Sequence, residues 1–251
     1  MGILPKIVAA TAAVALAVLD CNPSLYIFDK VRDVAKPEAF RSKNVWITGA
    51  SSGIGEELAL QLSAAGANVV ISARREGALK AVKDRCAAGA GSGAVHVVPL
   101  DVTDEGAVTK AVDDVVDKHF AGKGLDLLIL NAGKSQRVPA MDTDLQTTSE
   151  LMKLNYESLV DMTQKVMKVD KWSEKGRGHV VVTSSVAGKL PVALSSSYSA
   201  SKAAVNAYFS SLRSELRWLR VDIVCPGPIA TPIGESVRGA KRQSEMEPCS
   251  F

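Results

Sequence analysis

Cysteine is scarce in this chain of 251 residues: Cys21, Cys86, Cys225 and Cys249 stand far apart, with no Cys-x-x-Cys pair. That spacing excludes a disulfide framework and a structural zinc site, both of which need clustered thiols. Histidine is scarcer still. His96, His119 and His179 lie scattered, and one imidazole without partners builds no metal site. Charge of one sign is missing too. The formal net charge of +3 is small and dispersed, which argues against a nucleic-acid partner. No Asn-x-Ser/Thr acceptor is usable, because Asn22 is followed by Pro23; this fits a cytosolic location. Internal repeats are absent, and no Gly-Lys-Ser/Thr follows the glycine-rich stretch, so there is no phosphate loop of that type.

Near the N-terminus, Ile7 to Leu19 ("IVAATAAVALAVL") carries no charge. It is shorter than the roughly 20 apolar residues that a spanning helix needs. A signal-peptide core, a short anchor and an interfacial helix all fit it; a buried helix of the soluble domain is the remaining alternative. Lys30, Arg32 and Lys36 follow the run and place the main domain on the cytosolic side. Residues 1–43 are thus expected to be a hydrophobic anchor or signal segment with its linker. They would tie the protein to a membrane, the endoplasmic reticulum if the cell is eukaryotic.

What is present points to one sizeable domain, 47% hydrophobic and 23% charged. From Asn44 onward, short apolar runs alternate with helical patterns. "NVWIT", "NVVIS", "AVHVVPL", "LDLLIL", "HVVVTSS" and "VDIVC" read as strands. "GIGEELALQLSA", "EGALKAVKDRC" and "DEGAVTKAVDDVVDKHF" read as helices. Nearly all-apolar strands between helices predict an α/β fold: a Rossmann-type, doubly wound parallel sheet with helices on both faces.

The turn "TGASSGIG" lies between the first strand and the first helix. Gly49, Gly53 and Gly55 let the backbone bend tightly and approach a ligand. The N-terminus of the following helix suits a pyrophosphate. After the second strand comes "ARRE". Ala73 stands where a NAD-preferring site carries an acid for the ribose 2′-hydroxyl, and Arg74 and Arg75 follow. Guanidinium groups suit a 2′-phosphate, so NADP(H) is the expected cofactor. In "SSYSASKAAVNAYF", Tyr198 and Lys202 share one helix face. A phenol titrates near 10 in water, and a neighbouring ammonium favours its ionised form. A Tyr-x-x-x-Lys pair is therefore a usable acid/base at a carbonyl or alcohol oxygen. Ser185, in "VVTSSVAG", falls at the carboxyl end of the preceding strand, the edge where such sheets bind ligands.

Together these motifs resemble the short-chain dehydrogenase/reductase family from about Asn44 to Thr231. The match takes in "TGASSGIG", "LDV", "LNAG", Asn155 in "KLNY", "YSASK" and "CPGPIAT". "SQR" and "MDT" further resemble the membrane-associated dehydrogenase/reductase member-7 group. The resemblance implies Tyr198 as acid/base and Lys202 as holder of the nicotinamide ribose. It implies Ser185 on the substrate oxygen, Ser184 as a structural neighbour, and Asn155 as the fourth member of the set, ordering a helix and a proton relay. Gly49, Ser51, Ser52, Gly53, Ile54, Gly55, Arg74, Arg75, Asp101, Val102, Asn131, Ala132 and Gly133 would line the cofactor, with Tyr198 and Lys202. Pro226, Gly227 and Thr231 would cover its nicotinamide side, and Asp101 would contact adenine. On the bland reading, Asp101 caps a helix and Asn155 is a core polar residue. No metal is implied.

Two departures from the pattern stand out. Leu130 occupies the place of a second Asn before Asn131. After residue 235 only a polar tail, 236–251, remains, so the last strand of the sheet is expected to be missing. The dinucleotide-binding catalytic domain is then 44–235. The implied function is hydride transfer between NADP(H) and a small lipophilic carbonyl or alcohol of steroid, retinoid or lipid type, in a chain that can form a homodimer. The alternative is a catalytically weak NADP-binding interaction protein with an incomplete substrate pocket.

Overall fold

A computed structural model describes residues 37–87 and 92–229. Among these residues, six strands form one sheet: β1 (Asn44–Thr48), β2 (Asn68–Ala73), β3 (Val95–Pro99), β4 (Leu127–Leu130), β5 (Gly178–Thr183) and β6 (Leu219–Val224). Their order is β3-β2-β1-β4-β5-β6, and every neighbouring pair is parallel. The chain starts in the middle, builds to one edge, then returns to β4 and builds to the other. The order therefore reverses between β1 and β4, where a crevice opens at the carboxyl ends of the strands.

Among the described residues, seven α-helices connect or flank the strands: α1 (Gly53–Ala64), α2 (Glu76–Cys86), α3 (Glu105–Asp114), α4 (Leu145–Met152), α5 (Ser158–Val169), α6 (Trp172–Lys175) and α7 (Ser196–Glu215). The alternation of strand side chains sends them to two cores. Trp46, Val70, Leu128 and Val180 pack with Val108 of α3, Met162 of α5 and Phe209 of α7. Val45, Ile47, Ile71 and Ile129 pack with Leu62 of α1 and Leu79 of α2. Helices thus cover both faces, which is why the strands read as unbroken apolar runs.

Two irregular turns interrupt the helical stretches. A π-helical turn, Val115–His119, continues α3. A second, Lys153–Glu157, joins α4 to α5 and carries Asn155. Such turns are often found beside functional sites. The run Ile7–Leu19, Thr231, the tail 236–251 and the expected loss of a seventh strand all lie outside the described residues. Among the described residues no helix is long and apolar enough to cross a membrane, and no cluster of side chains could hold a metal ion.

Candidate active site

Thr48 ends β1 and is fully buried. Its hydroxyl accepts the main-chain N–H of Asn131 at 3.1 Å and of Ala132 at 3.2 Å. This pins the segment after β4 against the end of β1 and fixes the floor of the crevice. Gly49 then turns the chain with φ +67, and an added Cβ would stand 2.7 Å from Ala132 Cα. At Gly55 an added Cβ would stand 2.5 Å from the Gly49 carbonyl oxygen. Both glycines are required by close approach of main chain to main chain. Gly55 sits behind the turn, and its Cβ position is also 2.6 Å from Asn131 Nδ2.

Beyond the turn lies a cleft of about 910 Å³. The first turn of α1 opens on it through Ser52, Gly53 and Ile54. Ser52 is the N-cap of α1 but makes no side-chain cap bond, whereas Asp104 of α3 and Asp144 of α4 both do. The N–H groups at the start of α1 thus lack the partner those helices have, as an anion site requires. Arg74 and Arg75 line the same end, and Arg75 Nη2 donates to Ser51 Oγ at 3.3 Å. Asp101 and Val102 follow β3 and line the cleft as well. Asp101 Oδ1 accepts from Thr103 N at 3.0 Å and Thr103 Oγ1 at 2.7 Å. Burial pushes the Asp101 carboxyl up, but these two bonds and the charges of Arg74 and Lys153 outweigh it and hold it below its ordinary value. The capping role belongs to Asp104, which accepts from Ala107 N.

The other end of the cleft is lined by Asn131, Ala132, Gly133, Ser185, Tyr198 and Lys202, with Pro226 and Gly227 beyond. Ser185 Oγ accepts from Ala187 N at 3.1 Å, which leaves its own proton to donate. Ser184 is buried and donates to the Lys202 carbonyl at 3.3 Å. Lys202 is only 4% exposed, and its Nζ donates to the Thr183 carbonyl at 2.9 Å. Burial lowers its pKa to about 8, and Cys225 pulls weakly the other way. Asn155 is not in the cleft wall. It is fully buried. Its Oδ1 accepts from Lys134 N at 2.8 Å, and its Nδ2 donates to Lys134 O and Ser201 Oγ. Ser201 in turn donates to the Tyr198 carbonyl at 2.7 Å. Asn155 therefore links the strand that ends in "LNAG" to the helix that carries Tyr198.

Thr48 and Ser201 stand inside the motifs "TGASSGIG" and "YSASK", but nothing local in the sequence assigns either of them a role. Their importance lies in partners far along the chain.

A doubly wound parallel sheet with a glycine-rich turn at its switch point defines a Rossmann-type α/β protein. A sequence model described as short chain dehydrogenase matches residues 43–242, and the chain belongs to that family of oxidoreductases. Within it the similarity is to the member-7 group. The chain is 41% identical over 197 residues to human "Dehydrogenase/reductase SDR family member 7", covering 76% of this chain and 57% of that protein. It is 37% identical over 186 residues to "Hydroxysteroid 11-beta-dehydrogenase 1-like protein" of Xenopus tropicalis, covering 74% of this chain and 63% of that protein. The chain thus spans less than two thirds of these relatives. Among solved structures, a variant of actinorhodin polyketide ketoreductase with NADPH superposes with a TM-score of 0.73 at 30% identity, covering 82% of this chain and 76% of that one.

Proposed function

We propose that this protein is an NADP(H)-dependent oxidoreductase that interconverts a lipophilic carbonyl compound and its alcohol. The observation that carries the proposal is the single cleft in which Tyr198, Lys202 and Ser185 meet the glycine-rich turn and Arg74. The cleft fits a dinucleotide. The turn admits close approach at Gly49, and the start of α1 offers N–H groups to a pyrophosphate. Asp101 suits an adenine edge, and Arg74 and Arg75 suit a 2′-phosphate. Asn131, Ala132, Gly133, Pro226 and Gly227 flank the nicotinamide end. Bound there, the nicotinamide supplies or accepts the hydride.

The chain's own residues manage the proton. Ser185 donates a hydrogen bond to the substrate oxygen, and Tyr198 gives or takes the proton that oxygen gains or loses. Lys202, one helical turn on, holds the nicotinamide ribose and sets a positive charge beside the proton route. Asn155 orders Lys134 and Ser201 behind them. The lipophilic character of the substrate is supported by Val192 and Ile229, which line the mouth of the cleft and are 53% and 51% exposed. The Xenopus relative's name adds weight to a steroid-like ligand. We further propose that residues 1–43 attach the domain to a membrane; a reporter carrying them should sediment with membranes, and a soluble reporter refutes this.

The test is NADPH consumption by purified protein against a panel of lipophilic ketones and aldehydes. Turnover of at least one supports the reading. Tight NADPH binding with no turnover across the panel favours the non-catalytic alternative.

A further inference from the structure

α7 begins without its own cap. Ser195 holds the N-cap position, and its carbonyl accepts from Ser199 N at 2.7 Å, yet its side chain makes no cap bond. The Ser195 hydroxyl turns away and donates to the Gln136 carbonyl at 2.9 Å. The vacancy at the helix start is filled from another part of the chain. Gln136 Oε1 accepts the main-chain N–H of Tyr198 at 3.4 Å. That group is one of the N–H donors a helix cannot satisfy by itself, and an N-cap oxygen ordinarily takes it. Gln136 is only 2% exposed. Its Nε2 donates to Thr143 Oγ1 at 2.7 Å, and that hydroxyl donates on to the Pro139 carbonyl at 3.0 Å. Val138 N adds a main-chain bond to Leu194 O at 2.7 Å. Gln136 belongs to "SQR" and Thr143 to "MDT", the two short motifs that neither the cofactor nor the proton chemistry uses.

We propose that Gln136 is a positioning residue: a buried amide that caps α7 from outside, holds the backbone of Tyr198, and through Thr143 couples it to the loop after β4. The amide is suited to this. One end must accept from Tyr198 while the other donates to Thr143, and a side-chain amide offers both without titrating. The role rests on the oxidoreductase reading for its catalytic consequence, but the clamp itself can be measured separately.

The experiment compares Gln136→Met, which keeps length and removes both bonds, with Gln136→Glu, which keeps the acceptor at a helix start that welcomes negative charge. Steady-state kinetics, NADPH affinity and amide exchange of a peptide containing Tyr198 are read together. Gln136→Met is expected to lower kcat about tenfold to a hundredfold, in line with small misplacements of a reacting group. NADPH affinity should stay within twofold, and exchange at the start of α7 should speed up. Gln136→Glu should restore slow exchange and most of kcat. Thr143→Val, at a partly exposed site, should show a smaller fall in kcat without a change in melting temperature; it serves as the decisive variant if Gln136→Met does not fold. Unchanged kcat and exchange in Gln136→Met or, failing its folding, in Thr143→Val overturn the proposal. So does an equal loss in the Glu and Met variants. If the unmutated protein turns over no carbonyl, the oxidoreductase reading fails, and exchange alone still decides the clamp.

Discussion

Around β1 to β3 the cleft wall is a main-chain turn flanked by the side chains of Arg74, Arg75 and Asp101. Gly49 and Gly53 have φ of +67 and +60, and the start of α1 presents bare N–H groups. Around β4 to β6 the wall is backed by buried polar side chains: Gln136, Asn155, Ser184, Ser201 and Lys202 are all under 5% exposed. The first half can accept a charged ligand at low cost because its donors are fixed by the backbone. The second half holds a half-buried tyrosine at the cleft wall and a buried lysine behind it. It does so with a network in which Gln136, Asn155, Ser184, Ser201 and Lys202 each find a hydrogen-bond partner, although the buried Ser199 hydroxyl beside it has none. One half is shaped by its main-chain turn and the other by buried polar side chains.

Substitutions should therefore fail differently in the two halves. The largest effect is expected at Tyr198. Tyr198→Phe keeps the ring and removes the proton donor, and should lower kcat roughly 10²- to 10⁴-fold. NADPH affinity should hardly change, because Arg74 and the glycine-rich turn, where the phosphates are proposed to bind, lie in the other half. Turnover that survives in the Phe variant would refute the acid/base assignment.

Gly49→Val attacks the main-chain wall. A non-glycine residue at positive φ costs about 1–2 kcal/mol before any clash, and here the Cβ also meets Ala132. Melting should fall by about 5 °C or more, and NADPH binding should weaken at least about tenfold. A variant that binds NADPH normally would show that the turn does not cradle the cofactor.

Arg74→Ala is milder. Losing one guanidinium from a phosphate site should weaken NADPH about tenfold and leave NADH binding unchanged. Ala73→Asp should push preference towards NADH by adding a ribose partner and repelling the phosphate. Equal losses for both cofactors in Arg74→Ala would break the link between that residue and the 2′-phosphate.

The same contrast explains what the sequence could convey. The main-chain half was legible because glycine spacing, a strand end and the next two arginines lie close together along the chain. The fold was legible for a related reason: strands buried on both faces must be apolar throughout. Ser185, Tyr198 and Lys202, which meet at one end of the cleft, stand in two short motifs, so their grouping could be anticipated. The support beneath it could not. Gln136 and Tyr198 are 62 positions apart, Asn155 and Ser201 are 46 apart, and nothing local marks a polar residue as a partner rather than a surface group. Asn155 was legible as important through family resemblance, but only the fold reveals that it grips the Lys134 backbone from outside the cleft.

The remaining expected effect concerns stability, and its sign follows from Lys202. The side chain is buried, and burial lowers its pKa from 10.5 to about 8. The unfolded chain keeps the ordinary value. Below about pH 8 both states carry the proton, and the folded state bears the full cost of a buried ammonium. Between about 8 and 10.5 the folded chain releases the proton while the unfolded chain retains it, so stability attributable to this group rises with pH. Above 10.5 both are neutral and the cost is gone. Lys202→Met removes the titration. It also leaves the Thr183 carbonyl without its donor, a loss of about 1 kcal/mol that does not depend on pH. The stability of the unmutated protein relative to the Met variant should therefore be lowest below pH 8 and improve steadily to pH 10.5. In melting temperature the change should amount to several degrees, at about 2–4 °C per kcal/mol for a domain of this size. The Met variant should also lose turnover at every pH, so the group that limits stability would be one that catalysis needs. A gap that stays flat across this range, or moves the other way, would mean that Lys202 is not held as a costly buried cation.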